Sequence, residues 1–320
     1  MNARVEMVPL PVAHVAATLG EGPAWDAARG CLWFVDIKQR RLYRFDPDTR
    51  ALQHWPAPEQ IGWAFPAAGG DLVCGVRGGL QRFSPDSGAF AQWLSVETQV
   101  PGNRLNDATV DQDGAIWFGS MDDGETADSG FIYRCARGQL QDSGLPALCI
   151  TNGPALCPAG RTLYHTDTLG RRIFASRLDE ARLPRETRLF ASIEPEAGYP
   201  DGPVIDSEGC LWTGLFGGWA ARRYAPDGRL LETVRFPVSN VTKLAFGGHD
   251  LRTVYVTTAR KGLSAAELAA QPLAGDLFAF RVATPGLPVP LVRIEGKPQL
   301  VRLPARGPRF RCAPAWSKSR

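Results

Sequence analysis

The sequence lacks several patterns that identify common protein classes. Its seven cysteines are an odd number, none forms a Cys-x-x-Cys pair, and most lie within apolar, strand-like runs. Such cysteines are typical of buried, reduced thiols rather than of a disulfide framework or a thiolate metal site. Neither a Gly-x-Ser-x-Gly motif nor a phosphate-binding loop is present. A serine hydrolase and a nucleotide-binding protein therefore have no support.

Long apolar runs are also absent. No stretch approaches the ~20 apolar residues of a membrane span, and the N-terminal segment lacks a basic region followed by an apolar core. We therefore expect a cytoplasmic protein that does not enter membranes. Residues 285–320 contain eight Lys and Arg residues but only one acidic residue. Because the whole chain has a net charge of +3, residues 1–284 are mildly acidic. That body is not expected to bind nucleic acid, and the oligomeric state is left open.

Glycine and proline are abundant instead, at 34 and 26 residues, which favours many tight turns over long helices. A strand-turn-strand unit occurs six times, at intervals typical of a four-stranded propeller blade. Its strand centres are Leu32, Leu72, Ile116, Leu163, Leu211 and Val254. The sequence predicts an all-β, single-domain, six-bladed β-propeller over residues 1–284. We expect residues 1–18 to close the last blade and residues 285–320 to form a basic, Pro/Arg-rich C-terminal extension.

Oxygen-bearing side chains recur at one phase of this repeat, about ten residues before the strand centre. They are Glu21, Asn106, Asn152 and Asp201. Three of them precede Gly-Pro, and residues of these types also form turns before glycine. Turn formation does not require the same phase in different blades, however, and β-strands generally avoid these residues. We therefore interpret them as a cluster at one mouth of the central channel.

The motif Asn103-Arg-Leu-Asn-Asp107 and the following Val110–Met121 resemble the senescence-marker-protein/gluconolactonase family of regucalcin-like sugar lactonases. The resemblance extends from about Leu19 to Arg260. It implies a six-bladed propeller with one divalent cation, whose ligands correspond to Glu21, Asn152 and Asp201. It also implies a small-molecule substrate, the lactone of an aldonic acid, which is hydrolysed to the acid.

The resemblance further implies that Arg104 and Asn106 bind the substrate. The loop from Asp122 to Glu125 departs from the animal members of the family. Asp122 is assigned as a third substrate contact, and the choice among the acids of this loop stays open.

Two carboxylates and an amide form a hard oxygen site that suits Ca²⁺, Mg²⁺ or Mn²⁺, whereas Zn²⁺ or Fe²⁺ would depend on geometry. Such a cation stabilises the oxyanion that develops when water adds to a lactone carbonyl. Asp201 is the candidate general base. His165 is interpreted as a core residue, Asp167 as either a turn former or a residue of the mouth, and Asp111–Gly114 as a hairpin turn.

Two other functions remain as alternatives. A propeller could bind calcium without turnover, and a metal-dependent esterase or organophosphatase could use the same cation, because one fold hosts several reactions.

Overall fold

The computed structural model describes residues 7–294, which form six four-stranded antiparallel sheets. The first described strand is β1 (Leu10–Ala13). Blade 1 contains β2 (Gly20–Asp26), β3 (Cys31–Asp36), β4 (Arg41–Phe45) and β5 (Leu52–Pro56). Blade 2 contains β6 (Ile61–Pro66), β7 (Leu72–Val76), β8 (Gly79–Ser84) and β9 (Ala89–Ser95). Blade 3 contains β10 (Asn103–Val110), β11 (Ile116–Asp122), β12 (Ile132–Ala136) and β13 (Gln139–Asp142).

The second half of the ring repeats this order. Blade 4 contains β14 (Thr151–Leu156), β15 (Thr162–Asp167), β16 (Arg172–Leu178) and β17 (Pro184–Ser192). Blade 5 contains β18 (Tyr199–Ile205), β19 (Leu211–Phe216), β20 (Ala220–Tyr224) and β21 (Leu230–Arg235). Blade 6 contains β22 (Val241–Gly247), β23 (Thr253–Thr258) and β24 (Leu277–Arg281), and β1 pairs with β24 as its fourth strand. The predicted six-bladed propeller is confirmed.

Helix is scarce in the described part of the chain. A 3₁₀-helix covers Pro195–Ala197, and α1 covers Ala265–Ala270. Ser264 begins α1 with a capping box, in which its hydroxyl accepts from the Glu267 amide. No helix among the described residues has the length and apolar character needed to cross a membrane.

A repeated polar contact explains the turns that precede the second strand of blades 1, 3 and 5. In each of these blades a buried turn aspartate accepts a hydrogen bond from the indole N–H of a tryptophan on the following strand. The pairs are Asp26 with Trp33 (3.2 Å), Asp111 with Trp117 (3.2 Å) and Asp206 with Trp212 (3.0 Å). Burial of both partners in a hydrogen bond fixes the turn and lets the large indole ring fill the core. Asp111–Gly114 is therefore a structural turn.

The predicted strand centres fall at the first or second residue of the second strand of each blade. The fourth strands of blades 1–5 were not predicted. They lie at the outer edge, where side chains are largely exposed, as in β5 and β17. Alternation between a buried and a solvated face is weak there, so the sequence carries little strand signal.

Residues 285–294 cross one end of the channel. The Ser207 amide donates to the Pro285 carbonyl, and the amides of Val292 and Arg293 donate to the carbonyls of Pro66 and Gly114. We call residues 285–294 the strap. The strap lies at the ends of the inner strands, on the far side from their first residues. The predicted C-terminal extension thus begins as a segment packed on the propeller, and its remainder lies outside the described residues.

Candidate metal and substrate site

Each inner strand has a register shift near its start, and this places the candidate ligands. In blades 1, 4 and 5 the shift lies between Glu21 and Ala24, Asn152 and Ala155, and Pro200 and Pro203. A bulge leaves residues outside the regular pairing and re-aims a side chain. Proline, which has no N–H to donate, is tolerated at such a position. The Gly-Pro pair after each candidate ligand is compatible with the bulge but is not its cause, because the inner strands of blades 2, 3 and 6 have a register shift near their start without Gly-Pro.

The structure brings Glu21, Asn152 and Asp201 to one small cavity at the upper mouth, the channel end at which the inner strands begin. Each of the three residues is at most 6% exposed. The cavity is also lined by Arg104 and Asn106 from blade 3. Its other lining residues are Leu19, Met121, Glu125, Ile150, Thr168, Leu169, Tyr199, Phe216 and Lys261.

A chain of hydrogen bonds orients the amide of Asn152. Its Oδ1 accepts from Asn106 Nδ2 at 3.0 Å, and its Nδ2 donates to Thr168 Oγ1 at 2.9 Å. Thr168 in turn donates to the Pro200 carbonyl at 3.0 Å, which links blades 3, 4 and 5. With its nitrogen occupied by Thr168, the amide keeps a lone pair of its oxygen for a ligand in the cavity.

Arg104 is buried and fixed by its neighbours. Its Nε donates to Asp123 Oδ1 at 2.9 Å, and its Nη1 donates to Asn106 Oδ1 at 2.6 Å. Asn106 also donates to the Thr151 carbonyl at 2.7 Å. Both polar atoms of Asn106 are thus engaged within the protein. Asn106 orients Arg104 and Asn152 in addition to lining the cavity.

Without a cation, the buried carboxylates of Glu21 and Asp201 disfavour each other's ionised form. Burial, together with the negative charges of Asp201 and Asp107, raises the pKa of Glu21. Burial and Asp107 raise the pKa of Asp201 to about 8. Two buried acids that resist ionisation form a site whose negative charge a divalent cation would neutralise.

The donor set fits such an ion. Within residues 7–294, no three His, Cys, Asp or Glu side chains form a metal-sized cluster. The amide oxygen of Asn152 is available as a third protein oxygen at this cavity. Two carboxylates and one amide are hard ligands, and three protein ligands leave positions for water and substrate.

The loop after β11 gives its three acids different roles. The Asp122 carboxylate accepts hydrogen bonds from the amides of its own loop, including those of Thr126 at 2.9 Å and Ala127 at 3.0 Å. Although partial burial opposes it, these bonds lower the pKa of Asp122. Asp122 is not among the cavity-lining residues, whereas Glu125 is. The substrate contact assigned to Asp122 is therefore better matched by Glu125.

Asp123 is the hub of an ion-pair network behind Arg104. Its carboxylate accepts from Lys38 at 2.5 Å, from Arg77 at 2.6 Å and from Gln60 at 2.9 Å, besides Arg104. These hydrogen bonds and positive charges outweigh partial burial and hold the pKa of Asp123 well below its usual range. Asp123 therefore stays ionised and holds the guanidinium of Arg104 in place.

Glu125 and Lys261 form an ion pair at the edge of the cavity. Lys261 comes from the long loop between β23 and β24, so this pair joins blades 3 and 6. Sequence reasoning missed Lys261 and left Glu125 as one of the candidate acids of its loop, because loop residues have no fixed phase in the repeat. Tyr199 also lines the cavity, with the Arg171 guanidinium 4.0 Å from its ring centroid.

His165 lies away from this cavity. It is buried in blade 4, its ring stacks on Phe174 at 5.3 Å, and neither ring nitrogen has a hydrogen-bond partner among residues 7–294. Burial lowers the pKa of His165 to about 4. Asp167 accepts from the Gly170 amide and from Arg172. These contacts indicate structural roles for His165 and Asp167.

The chain resembles known proteins in sequence and in fold. Residues 19–260 match the model of the SMP-30/Gluconolactonase/LRE-like region. The chain is 32% identical to a 6-deoxy-6-sulfogluconolactonase of Pseudomonas putida, over 88% of this chain and 97% of that protein. It is 34% identical to an L-arabinolactonase of Azospirillum brasilense, over 90% and 96%. A solved calcium-binding protein, regucalcin, from Agrobacterium tumefaciens superposes with a TM-score of 0.86 at 27% identity, covering 92% of this chain and all of that one.

Proposed function

Because this chain belongs to the SMP-30/gluconolactonase/LRE-like family, we propose that it hydrolyses an aldonolactone to the aldonic acid. The substrate is of the gluconolactone, xylonolactone or arabinonolactone type. Two relatives that are named as sugar lactonases match this chain over nearly their whole length, and they support this reaction class. The observation that carries the proposal is the convergence of Glu21, Asn152 and Asp201 on one buried cavity.

Glu21, Asn152 and Asp201 would hold one divalent cation, from among Ca²⁺, Zn²⁺, Mn²⁺, Mg²⁺ and Fe²⁺. When bound, the cation supplies Lewis-acid stabilisation of the oxyanion that develops on the lactone carbonyl oxygen. The unfavourable pairing of the Glu21 and Asp201 carboxylates supports this assignment, because a cation removes the penalty that burial imposes on their ionised forms.

Asp201 is the proposed general base. Its carboxylate takes a proton from the attacking water as the new C–O bond forms at the carbonyl carbon. Collapse of the tetrahedral species breaks the ring C–O bond, and the proton that Asp201 took from the water passes to the released ring oxygen, which leaves as a hydroxyl group. A carboxylate is a weak base when ionised, and it suffices here because a lactone is an activated ester.

Arg104 orients the sugar through its fixed fork of donors. The guanidinium is held by Asp123 and Asn106 on its other side, so its direction is set before substrate enters. Asn106 is proposed as the second substrate-binding residue. Glu125 and Lys261 are further polar residues of the cavity lining. They can break their ion pair and form hydrogen bonds with hydroxyl groups of the substrate instead.

A pH-stat assay on gluconolactone, xylonolactone and arabinonolactone tests the proposal. We expect hydrolysis that stops after chelation, returns with an added cation and is lost in Asp201→Ala. Full metal-dependent hydrolysis by Asp201→Ala would show that the roles are wrongly assigned.

A calcium-binding module without turnover is the second candidate, since a solved relative is described as a calcium-binding protein. It predicts cation binding with no rate enhancement in the same assay. An esterase or organophosphatase would instead hydrolyse aryl esters or phosphotriesters faster than lactones.

A further inference from the structure

A buried ion pair lies in the channel below the candidate metal ligands. Asp107 belongs to inner strand β10 and Lys243 to inner strand β22, so the Lys243 side chain reaches from blade 6 to blade 3. The Lys243 ammonium donates to Asp107 Oδ1 and, at 3.2 Å, to the Ala108 carbonyl. Asp107 is 2% exposed and Lys243 is 5% exposed. A buried pair of this kind costs desolvation free energy, so its position calls for a reason other than stability.

The pair contacts the backbone next to two of the three ligands. Asp107 Oδ2 accepts a hydrogen bond of 2.7 Å from the amide of Gly153, the residue after Asn152. Gly202, the residue after Asp201, lies against the pair from blade 5. A Cβ atom at Gly202 would lie 2.9 Å from Asp107 Oδ2 and from the side-chain carbons of Lys243. Glycine is therefore required there by close approach.

The two charges act on the ligands in opposite directions. The negative charge of Asp107 repels the carboxylates of Glu21 and Asp201, and the positive charge of Lys243 attracts them. Asp107 alone would add a third negative charge to the site, and Lys243 alone would compete with the cation. Together they leave the net charge of the ligand set unchanged.

We propose that the Asp107–Lys243 ion pair is a charge-balanced floor of the metal site. Asp107 positions the backbone at Asn152 through the Gly153 amide, and Lys243 cancels the charge that this contact introduces. Both are positioning residues. The inference rests on the proposed function, because it concerns how the cation site of the lactonase is held.

Cation affinity measured without substrate tests this floor. Three variants are titrated calorimetrically, as metal-free proteins at pH 8, with Ca²⁺ or Mn²⁺ alone. Asp107→Asn keeps a side-chain oxygen for the Gly153 amide but leaves Lys243 without its counter-charge. Lys243→Met keeps the length of the side chain but leaves the Asp107 charge. The double variant removes both charges.

We expect the affinity to follow the order Lys243→Met, wild type, Asp107→Asn, from tightest to weakest, with steps of about tenfold. The double variant is expected within about threefold of wild type, because it has the same net charge next to the ligands as wild type. Loss of packing alone would weaken binding in both single variants. Any order other than the expected one overturns the inference.

Removal of one partner of a buried pair destabilises the fold, by about 3–5 kcal/mol. If neither single variant folds, the double variant carries the test, and a loss of cation affinity beyond about tenfold contradicts a charge-balanced floor. The proposed function fails separately: a wild-type protein that binds no divalent cation refutes the metal site itself, whatever the variants do.

Discussion

The two mouths of the channel are built from the same six strands and differ in chemistry. The upper mouth has a cavity of about 50 Å³ lined by Glu21, Asp201, Arg104 and other polar groups. The lower mouth has a cavity of about 480 Å³ lined largely by apolar side chains, such as Phe246, and by the strap. The larger cavity is thus not the one with convergent ligands. The proposed function therefore rests on the residues that start the inner strands rather than on the available volume.

The largest expected effect separates the two mouths directly. Asp201→Asn removes the proposed base and one negative ligand, so lactone hydrolysis should fall by about 10³-fold or more. The matched control is Val289→Ala in the strap, which lines the lower cavity. It should keep kcat/KM within about threefold of wild type. An equal loss in both variants would place the essential chemistry away from the upper mouth.

A second prediction uses the raised pKa values of Glu21 and Asp201. Between pH 4 and about 8 the unfolded metal-free chain has released protons that the folded chain still holds. The stability contributed by these groups is therefore full at low pH and is lost as pH rises through the folded pKa values.

Chemical denaturation of metal-free protein at several pH values measures this loss. Saturating divalent cation should reverse it, because the ionised carboxylates are then paired. Asp201→Asn should flatten the pH dependence of the metal-free protein. A cation effect that does not grow with pH in this range would contradict the assignment of the two acids.

The opposite sign is expected from His165, which lies away from both mouths. Its folded pKa of about 4 is below the unfolded value, so the unfolded chain gains a proton first as pH falls below about 6.5. Stability should decrease by up to about 3 kcal/mol between pH 6.5 and 4. His165→Leu should remove that component, whereas His54→Gln on the exposed face of β5 should keep it. Identical pH profiles in wild type and His165→Leu would refute the buried neutral state.

The smallest predicted effect concerns the acids of the 122–125 loop. Glu125→Gln should lower kcat/KM by about tenfold, chiefly through KM, because Glu125 lines the cavity. Asp122→Asn should change KM by less than about threefold, since Asp122 caps its own loop. Steady-state kinetics on one lactone compares the two. A larger KM change in Asp122→Asn would restore Asp122 as the substrate contact.

The metal ligands that the sequence predicted share one property, a fixed phase in the repeat, whereas Arg104 and Asp122 were assigned with the family resemblance. Glu21, Asn152 and Asp201 occupy equivalent positions on inner strands, so the period of the blades brought them together without knowledge of the coordinates. Glu125 and Lys261 lie on loops of blades 3 and 6. Their pairing depends on ring closure and loop path, which no local pattern encodes.

The strap shows the same limit, but the floor does not. Asp107 and Lys243 each directly precede the residue at which their inner strand resumes regular pairing, so they share a phase of the repeat. Their ion pair was missed because it joins two strands that lie more than a hundred residues apart in the sequence. The strap has no periodicity because its backbone groups bond to the carbonyls of turns and strand ends across the ring. Charge patterning alone separated it from the propeller, and the structure packs it onto the propeller.

The most direct test of the account is anomalous X-ray diffraction from crystals of the wild-type protein soaked with Mn²⁺. The account predicts one strong peak at the upper mouth, about 2.1–2.5 Å from oxygens of Glu21, Asn152 and Asp201. A strong peak only at another position would contradict the proposed metal site. The same holds if the protein hydrolyses lactones but its crystals show no peak.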